Sequence, residues 1–396
     1  MRYSQRIREM AESPIRKLAP HAESAKERGI TVYHLNIGQP DIKTPKQMLQ
    51  AIHSMPLDII AYGPSEGLPS YRRRLPEYYA SKGIHLTYED ILITTAGSEA
   101  LLFLLMALCD HGDELIVPEP YYANMNGFSS MAGVTLVPVR TRIEDGFSLP
   151  DTPAFAAAVT ERTRGILICN PNNPTGAVYQ ESQLHELAGL VKEKDLFLAA
   201  DEVYREFVYD GKTHTSILSL PAIQDRTVVV DSISKRYSAC GARIGTFISR
   251  DRGLLAGVLK MAQARLCPPT VEQMAAEAVL DLDQSYFDDV LKEYQLRRDI
   301  LYQGLSSIPG VVCSKPAGAF YLVARLPVDE AEKFAVFMLR DFSHEGKTVM
   351  LAPASGFYQT PGAGRDEVRI AYVLNVRDLE QSIDIIRRGL EAYRSR

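Results

Sequence analysis

The run "TVVV" (227–230) leads into "DSISKRYSACGARIG" (231–245), which sets Lys235 at the mouth of an apolar strand and Arg243 eight positions later. Lysines are mostly solvated, so one delivered by a strand end invites a chemical reading. Three other strand-like runs also end in polar groups. "ILITT" is followed by Ala96, Gly97, Ser98 and Glu99, which open a helix. "RGILICN" runs into a turn containing Asn173, and "LFLAA" into Asp201 and Tyr204. Ligands of open α/β sheets bind beyond the carboxyl ends of the strands, so these groups are expected to share one cleft.

Each group has a definite capacity. Free N–H groups where Gly97 and Ser98 open a helix suit a phosphate. Ser232 and Arg243 would add a hydroxyl and a two-pronged cation. Partial desolvation beside Arg243 favours the neutral amine of Lys235, the form that attacks a carbonyl. Asp201, if buried, needs a cation. A phosphate, an aldehyde carbon and a cationic ring nitrogen are three handles of pyridoxal phosphate, whose sites pair a lysine with an acidic partner for the ring nitrogen.

The segment 232–245 resembles the lysine-attachment signature of the class I aminotransferases, fold-type I pyridoxal-phosphate enzymes, among which the chain is similar to aspartate aminotransferases. The resemblance covers essentially the whole chain: "NIGQPD" (36–41), "AYGPSEGLPSYR" (61–72), "AGSEA" (96–100), "PEPYY" (118–122), "NPNNPTG" (170–176), "DEVY" (201–204), "GAFY" (318–321) and "VRIAY" (368–372). Each is weak alone; in this order they are specific. The resemblance implies that Lys235 forms an aldimine with the cofactor and then moves the substrate's α-proton, with Asp201 against the ring nitrogen. It implies Asn173 and Tyr204 at the ring's phenolic oxygen and Tyr122 on the ring face. Gly97, Ser98, Glu99, Ser232 and Arg243 would hold the phosphate end, completed by Tyr62 of a neighbouring subunit in a homodimer. Arg369, with the backbone at Gly38 and with Asn173, would bind the substrate's α-carboxylate. The activity implied is ping-pong transfer of an amino group between an L-amino acid and a 2-oxo acid.

Plainer roles stand beside these. Asp201 could cap a helix, Asn173 could shape its Pro-rich turn, and Gly38 could be a turn glycine. Arg369 lies in "EVRIAYV", which reads as an alternating strand, so an exposed edge arginine is the competing reading. Tyr121 competes with Tyr122.

Positioning these groups takes a sheet. The middle of the chain alternates near-continuous apolar strands with helical segments, the pattern of a mainly parallel sheet covered on both faces. The expected fold is α/β: a large doubly wound domain over 46–285 and a smaller α+β domain from 1–45 and 286–396. Within the latter, "SYFDDVLKEYQLRRDILYQGLSSI" reads as a long amphipathic helix, and "GAFYLVARL" and "EVRIAYVL" as strands with a helix between them. The first 45 residues do not fit the strand–helix rhythm and are expected to pack on the C-terminal unit or on another subunit.

At 396 residues the chain is too long for one core. A net charge of −5 gives no reason to expect nucleic acid or an anionic membrane as partner. The five cysteines are dispersed, which fits a reducing compartment, and the charged N-terminus lacks a signal peptide's apolar core, so a cytoplasmic location is expected. No histidine spacing suggests a metal, and none is expected.

The substrate is the open question. One branch of the aspartate enzymes carries a lysine where this chain has Ser98, which counts against a simple aspartate assignment. Arg265 is a candidate partner for a distal carboxylate. Aspartate leads, followed by alanine or an aromatic amino acid. A carbon–sulfur β-lyase on the same cofactor is the rival reading.

Overall fold

The computed structural model describes residues 3–396. In chain order its strands are β1 (Thr31–His34), β2 (Ile91–Thr95), β3 (Glu114–Glu119), β4 (Thr135–Arg140), β5 (Thr163–Cys169), β6 (Phe197–Asp201), β7 (Thr227–Ser232), β8 (Ile244–Ile248), β9 (Val312–Cys313), β10 (Tyr321–Arg325), β11 (Lys347–Met350), β12 (Ala352–Pro353) and β13 (Glu367–Ala371). Seven of them form one sheet in the order β2-β8-β7-β6-β5-β3-β4. Pairing is parallel from β7 through β6, β5 and β3 to β4. Only β8 runs against its neighbours, β2 and β7. The link from β7 to β8 explains this, because it is too short for the crossover that parallel pairing needs.

The apolar runs of these strands feed two cores at once. Ile91 and Ile93 belong to one cluster and Leu92 to the other; Ile166 and Ile168 oppose Leu167; Val229 opposes Val228 and Val230. Successive side chains alternate between faces, so a strand buried on both must be apolar throughout.

A second unit is built on the antiparallel sheet β12-β13-β10-β9 and the parallel pair β1-β11. Helices Gln284–Ser306, Ala331–Arg340 and Val376–Arg394 cover it. The N-terminal segment belongs here: β1 pairs with β11 from Thr31↔Lys347 to His34↔Met350, and Leu18, Ala22 and Leu35 share a core with Leu322, Phe334 and Ile370. Sequence reading left this placement open between two alternatives; pairing in the same chain decides it. None of the helices among the described residues is long and apolar enough to cross a membrane.

Candidate active site

A cavity of about 380 Å³ opens where the carboxyl ends of the large sheet meet the second unit. The end nearest the helix start at Ala96 is set by strand register. Antiparallel pairing puts Ser232 opposite Gly245 and Thr95 opposite Ile244, so Arg243, one residue before β8, returns beside the start of helix Ala96–Leu108. That explains the spacing between Lys235 and Arg243, which a sequence alone leaves as a coincidence. Ala96 takes a left-handed φ of 61° to turn from strand into helix. Gly245 must be glycine, since a Cβ there would lie 2.4 Å from the Ala96 carbonyl carbon and 2.6 Å from the Gly97 nitrogen. Gly97, Ser98, Ser232, Ser234 and Arg243 all line this end.

Lys235 lies on the short helix Ile233–Arg236 that follows β7. Its Nζ donates to the Gly38 carbonyl at 2.8 Å and lies 3.6 Å from Cys240 Sγ. Beneath this turn, buried Asp231 accepts hydrogen bonds from Arg236, from Tyr79 Oη at 2.9 Å and from the Ser232 N–H at 2.7 Å. Burial alone would raise the Asp231 carboxyl; Arg205 and Arg236 override it and hold the group below the usual carboxylate range. The lysine-bearing turn is therefore anchored by a buried ion cluster, a costly arrangement that persists only when its members pair.

Asp201 ends β6 at the cavity wall. Its Oδ1 accepts from the Val203 N–H at 3.2 Å, so a local capping role and a cavity-facing role coexist. Burial pushes the carboxyl up to about 6, helped by Asp231 and opposed by the Val203 N–H and Lys235. Tyr204 Oη bonds Tyr321 Oη at 2.9 Å, both rings buried at the wall. Gly38 approaches Tyr321 so closely that a Cβ would fall 1.8 Å from the tyrosine oxygen, which makes it more than a turn glycine. Tyr122 lines the cavity, its hydroxyl accepting from Asn124 Nδ2 at 2.7 Å. Tyr121 points elsewhere, donating to Asn126 at 2.6 Å.

Arg369 occupies the opposite wall. It is 1% exposed, and all five residues of β13 are buried, so the alternating edge strand read from sequence is incorrect: the strand is central, between β12 and β10. Nη1 donates to Asn173 Oδ1 at 3.1 Å and Nη2 to the Asn36 carbonyl. The guanidinium lies over the rings of Tyr321 and Phe357, 4.5 and 5.0 Å from their centres. Among the described residues it has no carboxylate partner, and its Nε–H is buried without an acceptor. Burial accordingly lowers its affinity for the proton. A buried cation with an orphaned donor beside a cavity is a site built for an anion.

Three expected residues lie apart. Glu99 turns its carboxylate away from the cavity, accepting from the Thr95 N–H at 2.8 Å and from Arg265 Nε at 3.1 Å, because its own helix start offers an unpaired donor there. Arg265, so paired, lines a separate surface pocket and not the cavity of its own chain. Tyr62 is 82% exposed and does not reach the cavity of its own chain; it borders a separate surface pocket with Arg265 and Cys267. Sequence reasoning passed over Ser234, Cys240, Tyr321 and the N-terminal residues Ser13, Ile15 and Arg16, all of which line the cavity. Tyr321 closes the "GAFY" motif and was open to detection; the N-terminal residues carry no motif.

The comparisons with known proteins agree with this geometry. The family described as "Aminotransferase class I and II" matches residues 30–386. The aspartate aminotransferase of Geobacillus stearothermophilus is 30% identical over 404 residues, spanning 99% of this chain and 100% of that one. The glutamate-pyruvate aminotransferase AlaA of Haemophilus influenzae is 32% identical over 399 residues, 96% of this chain and 95% of that one. An alanine aminotransferase structure from Pyrococcus furiosus superimposes with a TM-score of 0.90 at 32% identity, over 99% of this chain and 100% of that one. With the match spanning both units and every wall of the cavity, the chain belongs to the class I and II aminotransferases and is a transaminase of the fold-type I architecture.

Proposed function

We propose that this transaminase works with pyridoxal phosphate bound at Lys235 and passes an amino group from an L-amino acid to a 2-oxo acid by a ping-pong cycle. The residues present fit that group. The helix start at Gly97 and Ser98, with Ser232, Ser234 and Arg243, offers a phosphate its N–H donors, hydroxyls and a cation. Asp201, whose carboxyl burial pushes up to about 6 and which has no ion-pair partner among the described residues, would take up the ring nitrogen. Tyr122 would pack on the ring, and Asn173 and Tyr204 would meet its phenolic oxygen. When bound, the cofactor supplies the carbonyl that takes up an amino group and the conjugated ring that accepts the electron pair left at the α-carbon.

The chain's own groups do the rest. Arg369 receives the substrate α-carboxylate on its free Nε–H side, which orients the α-carbon toward Lys235. The Lys235 amine holds and moves the α-proton, steered by the Gly38 carbonyl 2.8 Å away. The observation that carries this reading is the buried, carboxylate-free Arg369 facing the same cavity as Lys235 and Asp201. An aspartate-type substrate is the leading assignment, and the named relatives, acting on aspartate or on glutamate and pyruvate, support that class. A cytoplasmic homodimer, with Tyr62 lent to the neighbouring site, completes the proposal; the exposure of Tyr62, Ile59 and Ile60 supports it.

The test is direct. The purified protein loaded with cofactor should be yellow, and borohydride should fix the cofactor's mass on the peptide containing Lys235. Each amino acid mixed with it singly should bleach that colour in proportion to its fitness as donor, and Lys235→Ala should do neither. Full transamination by Lys235→Ala would sink the mechanism. Pyruvate and ammonia released from cysteine conjugates, without transfer to any 2-oxo acid, would favour the β-lyase instead.

A further inference from the structure

Four cationic side chains line the cavity: Arg16, Lys235, Arg243 and Arg369. Three have assignments above. Arg16 does not, and its guanidinium has no carboxylate, carbonyl or ring partner among the described residues. Its backbone is nevertheless fixed. The turn that carries it is closed by the Arg16 N–H donating to the Ser13 carbonyl at 3.0 Å. The next carbonyl back, that of Ile15, accepts from Asn36 Nδ2 at 2.8 Å, and the main-chain carbonyl of that same Asn36 accepts from Arg369 Nη2. One buried residue thus ties the Arg16 turn to the guanidinium that meets the α-carboxylate. A second tie lies alongside: Pro14 packs on Gly356, where an added Cβ would come within 2.6 Å of it, and the next residue, Phe357, is the ring lying under Arg369.

We infer that Arg16 is the specificity residue for the second carboxylate of dicarboxylic substrates, so that one side of the reaction uses aspartate or glutamate and the matching 2-oxo dicarboxylate. This rests on the transaminase reading above and adds its substrate class. The chemistry is a division of labour between two cations of unlike setting. Arg369 is buried and immobile, suited to a group every amino acid has. Arg16 is exposed at the rim, on a long side chain that can swing toward a carboxylate one or two methylenes beyond the α-carbon, or leave the space to a smaller substrate. The one residue that sequence suggested for this task, Arg265, is paired with Glu99 and does not line this cavity, and Ser98, where some aspartate enzymes carry a lysine, has no charge.

The experiment uses the cofactor-loaded enzyme. Replacing Arg16 by Ala should lower the ratio of kcat/KM for glutamate or aspartate to that for alanine by roughly 10- to 100-fold, the value of one charged hydrogen-bonded pair at a partly screened site. Lys at this position should recover part of the ratio, and Glu should depress it further. Independently of turnover, glutarate should bind the wild type more tightly than butyrate does, and that preference should vanish in Arg16→Ala. An unchanged ratio and an unchanged glutarate preference would overturn the assignment while leaving the transaminase reading intact. Absence of transfer from every donor in the wild type would instead strike at the reading beneath it.

Discussion

Arg369 and Asn173 meet across the boundary between the two units: Nη1 on β13 donates to Oδ1 on the loop after β5 at 3.1 Å. The contact joins a strand of the second unit to the loop after β5, both of which line the cavity. The Asn173 amide thus orients the guanidinium and borders the cavity. The Pro-rich turn that carries it aims that amide, so the turn role and the binding role proposed for this residue are compatible.

Replacing Arg369 by Met separates function from stability. If the guanidinium takes the α-carboxylate common to all donors, as proposed, kcat/KM should fall roughly 10²- to 10³-fold for every amino acid tested. A fall confined to one donor would reassign the arginine to side-chain recognition. The apoprotein's urea midpoint should not drop, because an unpaired buried cation is exchanged for an apolar chain of similar length. A large loss of stability would mean that Arg369 is held for structural reasons.

Gly245 tests the anion end. An added methyl would meet backbone, the Ala96 carbonyl carbon and the Gly97 nitrogen, and backbone in a helix start cannot swing aside. Gly245→Ala should cost about 1–3 kcal/mol and weaken cofactor binding as the N–H donors shift. Gly241, in the connection just before β8, has open space around an added Cβ, so Gly241→Ala is the control and should change neither. Titration of each apoprotein with the cofactor, followed by fluorescence, reads the difference; equal affinities in the two variants would show that the helix start does not hold the phosphate.

Much of the fold was legible because two-faced burial writes itself as unbroken apolar strands, and most of the site because strand ends carry their polar residues in order. What stayed hidden depends on distance across the chain. The pairing of β1 with β11 joins residues with no local signal of partnership, and four residues are too few to show a period. The alternation in "EVRIAYV" allowed an exposed edge arginine as the competing reading, which fails because the space beside Arg369 is filled by two aromatic rings contributed by other elements. The surroundings of Arg265 were equally hidden: its direction is open in the sequence, and only the fold brings Glu99 to it. Arg16 was invisible because the turn that carries it reaches the cavity only once Asn36 has fastened it there.

Asp201 gives the pH test. Without a cationic partner its carboxyl is pushed up to about 6 by burial. A raised acidic group binds its proton more tightly folded than unfolded, so its contribution to stability is complete below the unfolded value and is lost as pH rises through 6. The apoprotein should therefore lose stability between about pH 4 and 6 through this residue. Cofactor binding should have the opposite slope. A carboxylate is needed to meet a protonated ring nitrogen, so affinity should rise with pH up to about 6 and then level, by at most tenfold per unit. Asp201→Asn should flatten both curves at once. Glu202, also pushed up by burial, to about 7, titrates in an overlapping range but faces Arg205, Ser216 and the Ile217 N–H, away from the cavity. Glu202→Gln should then alter the stability curve and leave the binding curve unchanged. If the binding slope instead survives in Asp201→Asn and disappears in Glu202→Gln, Asp201 is not the group that meets the ring.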